Sequence, residues 1–314
     1  MKKPLIIIAG PTACGKTDSA IALAQKIGGE IISADSMQVY RFMDIGTAKP
    51  TKEEMQGIPH YLIDELEPDE EFNVMVFQKK AKEAMEIIWQ KGKIPVLVGG
   101  TGFYINALVY DNEFTATQND SSYREELYQL AREQGPEVLY ERLKEIDPNY
   151  AKTTHANNVK RVSRALEYYH LTGELFSRHN EEQKEKESPY NVGFFILNWS
   201  RELLYQRIDM RVDQMMQAGL LEEVKWLLDN GYGKELVSMQ GLGYKEFMPY
   251  FEGECTLEEA VEQLKKGTRH FAKRQLTWFR RQTQGYWIDM TQKTKADVLL
   301  EMEQCLKKWN ILGE

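Results

Sequence analysis

The sequence is poor in cysteine and lacks the long apolar runs of a membrane protein. Its three cysteines, Cys14, Cys255 and Cys305, are an odd number without paired spacing, so neither a disulfide framework nor a zinc site is expected. Its apolar runs fall far short of the ~20 residues that a membrane-spanning helix needs. A strand and a glycine-rich loop come so early that they leave no room for a signal peptide. We therefore expect a cytoplasmic protein that has no membrane partner.

An excess of positive charge is also missing. The formal net charge is −8, which argues against nucleic-acid binding by the surface as a whole. The charge is uneven, however, because residues 263–288 contain seven basic residues and no acidic one. On a helix, Lys266, Arg269, Lys273 and Arg280 would form one stripe. A stripe of one sign suits a phosphodiester backbone. A solvated helix face is the alternative, although such faces ordinarily mix both signs.

The most informative segment that is present is a glycine-rich loop. It fits the pattern G-x-x-x-x-G-K-[ST] at every fixed position and lies between an apolar strand and an amphipathic helix. Glycines let backbone N–H groups converge on phosphate oxygens, Lys16 adds a positive charge, and Thr17 can hold Mg²⁺. The pattern predicts a site for the phosphates of a nucleotide such as ATP or for the phosphates of a diphosphate. Its residues are Gly10, Pro11, Thr12, Ala13, Cys14, Gly15, Lys16 and Thr17.

Short apolar strands alternate with helices in the first hundred residues. Strands are predicted at 5–9, 30–33 and 94–98, with helices at 16–27 and 73–91. This alternation is typical of an α/β fold in which helices cover both faces of a parallel sheet. The fold class that we expect is therefore a P-loop NTPase-like parallel sheet covered by helices.

The middle of the sequence is charged and helix-rich. We predict a helical insertion domain at 112–189. Residues 1–111 and 190–314 would form the α/β catalytic core with its C-terminal helices. A strand at 190–198 would return to the sheet, and the Glu- and Lys-dense segment 177–189 is expected to be a solvated loop.

Polar residues are expected at the carboxyl ends of the strands, where ligands gather in such sheets. Asp35 follows the second strand and could hold Mg²⁺ or act as a general base; a turn residue is the alternative. Thr101, flanked by glycines, could donate a hydrogen bond while a substrate approaches closely, or it could belong to a plain turn. The strand that ends at Val98 is followed by Gly99 and Gly100 rather than by an acidic residue, which weakens a motor or switch function.

Two arginines also need an explanation. Arg207 and Arg211 lie four residues apart and so on one helical face. Either guanidinium could complete a clamp on a diphosphate. From the residues alone, a surface ion pair with Asp209 or Glu202 is the stronger alternative.

Five motifs, which follow one another in the family's order, closely resemble the tRNA dimethylallyltransferases, also called tRNA isopentenyltransferases. They are GPTACGKT at 10–17, DSMQVY at 35–40, DIGTAKP at 44–50, GGTGFY at 99–104 and KRQLTWFR at 273–280. The region 112–155 carries no matching motif. Cys14 stands where Ser is common and Phe103 where Leu is common, and neither departure removes a group that the chemistry needs.

The resemblance implies transfer of a dimethylallyl group from its diphosphate to N6 of the adenine immediately 3′ of the anticodon, with release of diphosphate. It implies that the loop 10–17 holds the diphosphate, with Mg²⁺ near Thr17. It further casts Asp35 as the base that takes the amine proton, Thr101 as a contact at the reacting centre, and Arg211 as a diphosphate clamp. No acidic residue after the third strand is then required, because the diphosphate is a leaving group.

With the resemblance, the helical insertion domain and the basic stripe are expected to contact the tRNA anticodon stem-loop, whose adenine would be flipped out of its stack. Besides Asp35 and Thr101, the matching residues are Ser36, Met37 and Gln38; Lys160, Arg161, Val162, Ser163 and Arg164; Gln240, Gly241, Leu242, Gly243, Tyr244 and Lys245; and Lys273, Arg274, Gln275, Leu276, Thr277, Trp278, Phe279 and Arg280. The chain is expected to act as a monomer.

Two alternatives belong to other functional classes. A P-loop small-molecule or nucleoside kinase would use the loop and Asp35 for phosphoryl transfer, but it leaves the basic stripe unexplained. A nucleotide-gated RNA-binding module without catalysis leaves Asp35 and Thr101 without a role.

Overall fold

The computed structural model describes residues 2–113 and 122–313. The chain divides into two compact units. Residues Met1–Asp111 and Ser188–Glu314 form the first, which we call the core unit. Residues Asn112–Glu187 form the second, which we call the helical unit.

The core unit contains a sheet that has six strands in the described residues. They are β1 (Pro4–Ala9), β2 (Glu30–Ser33), β3 (His60–Tyr61), β4 (Pro95–Gly99), β5 (Asn191–Asn198) and β6 (Tyr286–Asp289). Their order is β3-β2-β4-β1-β5-β6, and every neighbouring pair is parallel. The four strands that the sequence predicts are thus present, and β3 and β6 are additional.

Helices cover the sheet and build the helical unit. Those of the core unit are α1 (Lys16–Ile27), α2 (Val74–Gln90), α3 (Gly102–Val109), α9 (Arg201–Gln217), α10 (Leu220–Asp229), α11 (Met248–Phe251), α12 (Leu257–Gln282) and α13 (Lys295–Lys308), with 3₁₀ turns at Ser238–Gln240 and Lys245–Phe247. Those of the helical unit are α4 (Ser122–Gln134), α5 (Pro136–Ile146), α6 (Pro148–Ala151), α7 (Val159–Thr172) and α8 (Phe176–Glu185). Among the described residues, none of these helices combines the length and apolarity that a membrane crossing requires.

Both faces of the sheet are buried, which explains why its strands are apolar without alternation. In β1, Leu5 and Ile7 pack on the side of α2, α3 and α10, whereas Ile6 and Ile8 pack on the side of α1, α9 and α13. All four side chains are fully buried. The strand ends are therefore held rigidly, and so is the loop that follows β1.

The helical unit has a small core of its own, formed by leucine, valine and alanine side chains of α4, α5 and α7. Its buried carboxylate, Glu167, accepts hydrogen bonds from Arg124 Nη2 at 2.8 Å and from Arg164 Nη1 at 3.1 Å. The prediction of a loop at 177–189 is wrong for most of its length, because α8 extends to Glu185. Glu, Lys and Gln are polar, but they also have high helix propensity. Phe176 anchors the start of the helix by packing against Tyr150, with 4.9 Å between the ring centroids.

Candidate active site

The phosphate loop lies between β1 and α1, where the chain must turn tightly. Gly10 has φ 149° and Gly15 has φ 90°, a region that side chains disfavour. A Cβ on Gly10 would lie 2.4 Å from the carbonyl oxygen of Leu197. Lys16 Nζ donates to the carbonyl oxygen of Pro11 at 2.7 Å. Burial lowers the pKa of Lys16, and the positive charge of the nearby Arg211 lowers it further. An anion bound here would therefore stabilise the protonated forms of both Lys16 and Arg211.

Arg207 and Arg211 of α9 both reach this loop. Arg207 Nε donates to the carbonyl oxygen of Ala13 at 2.8 Å, and its guanidinium lies 4.7 Å from the centroid of the Trp199 ring. Arg211 Nη1 donates to Thr12 Oγ1 at 3.3 Å. Burial lowers the pKa of Arg211, and the negative charge of Asp35 opposes that effect. The alternative that the sequence favours, a surface ion pair with Asp209 or Glu202, is not formed by either arginine. Arg207 bonds to the phosphate loop instead, and so does Arg211.

Asp35 and Thr101 follow neighbouring strands, β2 and β4. Asp35 Oδ1 accepts a hydrogen bond from the backbone N–H of Met37 at 2.9 Å, which is the turn geometry that the alternative interpretation expects. This bond leaves Oδ2 for another partner. The backbone N–H of Thr101 donates to the carbonyl oxygen of Ala34 at 3.3 Å, so the two strand ends lie side by side.

The glycines around Thr101 make room for the protein's own atoms. A Cβ on Gly99 would lie 2.2 Å from the carbonyl oxygen of Ala34. A Cβ on Gly100 would lie 2.2 Å from Gln275 Nε2, and one on Gly102 would lie 2.1 Å from the Trp278 ring. In this structure, the close approach that the sequence assigns to a substrate is thus made by Ala34, which follows β2, and by α12.

One cavity at the phosphate loop, of about 320 Å³, is lined by Lys16, Thr17, Arg207 and Arg211 without Asp35. Two others meet at Asp35. Thr12, Asp35 and Arg211 line both. The smaller, of about 80 Å³, also includes Lys16 and Thr17. The larger, of about 430 Å³, is bordered by Thr101 and by apolar side chains. These apolar side chains include Met37, Leu242 and Phe271. A polar, cationic compartment therefore opens into a roomier, more apolar one, with Asp35 at the junction.

The wall of the larger cavity is held by a half-buried carboxylate that the sequence does not reveal. Glu223 of α10 accepts the backbone N–H groups of Asp44, Ile45 and Gly46 at 2.9, 2.7 and 3.0 Å. It also accepts the hydroxyl hydrogen of Tyr244 at 2.8 Å. The motif at 44–50 is thereby joined to the segment 240–245, which the resemblance matches to a tRNA-contacting stretch. Glu223 is one charged residue on an amphipathic helix, and no local pattern distinguishes it.

The residues predicted to contact tRNA fall into two groups by exposure. Some of them line the larger cavity, which Asp35 borders, and others are exposed to solvent. The others pack against protein. The buried ones are Val162, Ser163, Gly243, Tyr244, Gln275 and Phe279. Direct RNA contact therefore stays a prediction for the residues that are exposed or half-buried. The exposed ones are Gln240, Lys245, Lys273, Arg274, Thr277 and Arg280 in the core unit, and Lys160 and Arg161 in the helical unit. The half-buried ones are Asp35, Ser36, Met37, Gln38, Thr101, Gly241, Leu242, Leu276 and Trp278 in the core unit, and Arg164 in the helical unit.

The basic stripe on α12 is partly neutralised by α9. Arg269 Nη1 lies 2.5 Å from Asp209 Oδ1, and Lys265 Nζ lies 2.7 Å from Asp213 Oδ1. The single sign along residues 263–288 is therefore a property of the linear sequence, because a neighbouring helix supplies the carboxylates. Lys266, Lys273, Arg274, Arg280 and Arg281 remain exposed.

A metal site built from protein side chains alone is not found in the described ranges, since no group of three or more His, Cys, Asp or Glu side chains is suitably placed. Thr17 lines the smaller cavity beside Lys16. A hydroxyl oxygen at this point fits Mg²⁺, which is commonly bound by few protein ligands together with substrate phosphates.

Comparison with known proteins decides the family. A family model described as IPP transferase matches residues 38–282. The chain belongs to this family. It is 56% identical over 311 residues to the tRNA dimethylallyltransferase of Lachnoclostridium phytofermentans, and the match covers 99% of each chain. The resemblance in the sequence motifs is thus confirmed.

Solved structures agree with the fold. The full-length tRNA isopentenylpyrophosphate transferase of Bacillus halodurans superposes with a TM-score of 0.74 at 43% identity, covering 99% of this chain and 98% of that one. A eukaryotic dimethylallyltransferase, described as acting on tRNA, gives a TM-score of 0.83 at 33% identity, covering 96% and 77%. The predicted α/β class with a helix-covered parallel sheet is confirmed.

Proposed function

We propose that this IPP transferase family member transfers the dimethylallyl group of dimethylallyl diphosphate to N6 of the adenine immediately 3′ of the anticodon in tRNA. The observation that carries the proposal is the junction at Asp35, where the cationic compartment of the phosphate loop meets a cavity of about 430 Å³. That volume lies within the ~300–1,000 Å³ of typical ligand sites. One substrate would enter from each side.

The reaction forms a bond from N6 to C1 of the allylic group and breaks the bond from C1 to the diphosphate oxygen. The departing diphosphate gains negative charge. Backbone N–H groups of the loop, Lys16 and Arg211 would stabilise that charge, because both side chains line the same cavity and burial lowers the pKa of both. In this role the loop acts on a leaving group and transfers no phosphoryl group.

Asp35 would take the proton that N6 loses, through Oδ2, since Oδ1 is engaged by the Met37 backbone. Thr101 borders the same cavity and would contact the reacting centre. An adenine in a stacked loop cannot bring N6 to this point, so the base would be flipped into the larger cavity. Its apolar side chains, among them Phe271, suit the faces of a base.

Mg²⁺ would be held by the Thr17 hydroxyl together with diphosphate oxygens, and it would neutralise part of the diphosphate charge. We expect chelation by EDTA to abolish transfer and added Mg²⁺ to restore it. Thr17→Ser should keep activity because it keeps the hydroxyl, whereas Thr17→Ala should lose it. Equal activity of the two variants at all Mg²⁺ concentrations would contradict this assignment.

We also propose that tRNA contacts involve the exposed basic residues of both units, namely Lys160 and Arg161 of α7 and Lys273, Arg274 and Arg280 of α12. Monomeric action and a cytoplasmic location remain part of the proposal. Size-exclusion chromatography and cell fractionation test them.

The test of the reaction is incubation of the protein with unmodified tRNA, Mg²⁺ and radiolabelled dimethylallyl diphosphate, with and without ATP. Label should enter tRNA without ATP. It should disappear with Asp35→Asn and persist with Asp229→Asn, a matched change at an exposed carboxylate of α10. Absence of label together with steady ATP turnover would overturn the proposal and favour a kinase.

A further inference from the structure

Gln275 lies at the centre of α12 and joins two parts of the candidate active site. Its Oε1 accepts the backbone N–H of Thr12 at 2.9 Å, and its Nε2 donates to the carbonyl oxygen of Gly100 at 3.0 Å. Only 7% of the residue is exposed. Because both partners are backbone groups, the orientation of the amide is determined: the N–H of Thr12 can only donate, and the carbonyl of Gly100 can only accept.

The fit around this amide is tight. A Cβ on Gly100 would lie 2.2 Å from Gln275 Nε2. Three residues further along α12, the Trp278 ring fills the space where a Cβ of Gly102 would stand. The helix therefore contacts the turn that carries Thr101 at two points and the phosphate loop at one.

The partners of Gln275 belong to groups that the reaction needs. Thr12 accepts a hydrogen bond from Arg211 through its hydroxyl, so the position of its backbone also affects the arginine. Gly100 directly precedes Thr101. A buried amide left without its partners costs free energy, so a shift of α12 would carry the loop and the turn with it.

The residues just before Gln275 point the other way. Lys273 and Arg274 are exposed, and the Arg274 guanidinium lies 5.7 Å from the centroid of the Phe271 ring, which itself borders both cavities. One turn of helix thus carries side chains suited to RNA phosphates and a side chain bonded to the phosphate loop.

We propose that Gln275 is a positioning residue that couples tRNA binding on α12 to diphosphate binding in the loop. This inference rests on the proposed function. RNA phosphates that bind Lys273 and Arg274 hold α12 in place, and the two hydrogen bonds of Gln275 then hold Thr12 and Gly100. The phosphate loop binds diphosphate more tightly because its conformation is already ordered, so less conformational entropy is lost on binding. By linkage, diphosphate strengthens tRNA binding by the same factor.

The test compares Gln275→Met, which keeps length and volume but removes both hydrogen bonds, with Gln263→Met, the same change at an exposed position of α12. The Kd of inorganic diphosphate with Mg²⁺ is measured by calorimetry, alone and with saturating unmodified tRNA. Wild type and Gln263→Met should bind diphosphate about 5-fold or more tighter with tRNA. In Gln275→Met this ratio should fall towards one, while tRNA binding without diphosphate is unchanged.

A second variant separates positioning from a loss of folding. Gln275→Glu keeps an acceptor for Thr12 but places a carboxylate oxygen against the Gly100 carbonyl. It should retain diphosphate binding and lose kcat at saturating substrates, because the turn that carries Thr101 is displaced. Thermal unfolding of both variants accompanies these measurements.

Two results would overturn the inference. One is a ratio of diphosphate Kd without and with tRNA that is equal in Gln275→Met and wild type. The other is a ratio of one in a wild type that transfers label normally. If the ratio in Gln275→Met is unchanged and its tRNA affinity falls, the inference is overturned. That last result would assign Gln275 to direct RNA contact. Failure of wild type to transfer label at all would instead refute the proposed function, so the two outcomes are distinguishable.

Discussion

Replacing Asp35 by Asn removes the proposed base but keeps the turn in which it sits. The side-chain oxygen of Asn can still accept the backbone N–H of Met37, which Asp35 Oδ1 accepts at 2.9 Å. What is lost is the basicity of the second oxygen. General-base catalysis typically contributes about 10²- to 10⁴-fold, or about 3 to 5 kcal/mol of activation free energy. We expect kcat to fall by that factor.

The same change should not weaken diphosphate binding. The negative charge of Asp35 acts on Arg211, so its removal leaves more of the positive charge of Arg211 to act on the diphosphate. The KM for dimethylallyl diphosphate is therefore expected to stay the same or to fall. This separation of kcat from KM distinguishes loss of a base from general damage to the site.

The assay is transfer of label to tRNA with rapid quenching, at saturating tRNA and over a range of dimethylallyl diphosphate concentrations, so that kcat and KM are both obtained. Asp229→Asn is the matched control, and Asp35→Ala, which also loses the turn, should be at least as slow. A loss of less than about tenfold in Asp35→Asn would refute the assignment of Asp35 as base, as would a normal kcat with a raised KM.

Three further changes test the framework around the site. Glu223→Gln should lower kcat/KM for tRNA by about tenfold, since one amide oxygen replaces a carboxylate that accepts four hydrogen bonds and orders the cavity wall; unchanged steady-state kinetics would contradict this. Burial alone would raise the pKa of Glu30, but hydrogen bonds from two lysines and a tyrosine lower it from 4.5 to about 2. The carboxylate should thus stabilise the fold by ~3 kcal/mol above pH 4.5, and this stabilisation should vanish as the pH falls to about 2. Chemical denaturation of wild type and Glu30→Gln across that range measures it, and a gap independent of pH would refute it. Gly99→Ala should cost ~2–3 kcal/mol of unfolding free energy, because its Cβ would meet the Ala34 carbonyl at 2.2 Å. Gly28→Ala, at φ 68° in open space, should cost only about 1 kcal/mol, and equal costs would contradict the steric argument.

Local patterns predicted much of the fold. The phosphate loop and the strands β1, β2, β4 and β5 depend on neighbouring residues, so the glycines of the loop and the short apolar runs of the strands reveal them. β3 has only two residues, His60 and Tyr61, and leaves no periodic signal. β6 (Tyr286–Asp289) has one fully buried residue and follows the charged end of α12, so it does not resemble a core strand.

The candidate site was predictable where a residue acts next to its motif. Asp35, Thr101 and the loop follow strands, and parallel strands bring such ends together. The roles of Gln275 and Glu223 depend on partners more than 170 residues away in the chain. Sequence spacing alone cannot supply such contacts, and for Gln275 the motif suggested RNA when the structure buries the side chain.

The most direct test of the account is the position of the new group in the product. Unmodified tRNA is incubated with the protein, Mg²⁺ and dimethylallyl diphosphate, then digested with nuclease and mapped by mass spectrometry, beside a tRNA in which the adenine 3′ of the anticodon is replaced by guanine. We predict one dimethylallyl group on that adenine and none in the guanine variant. A group on another nucleotide, or label that persists in the guanine variant, would contradict it.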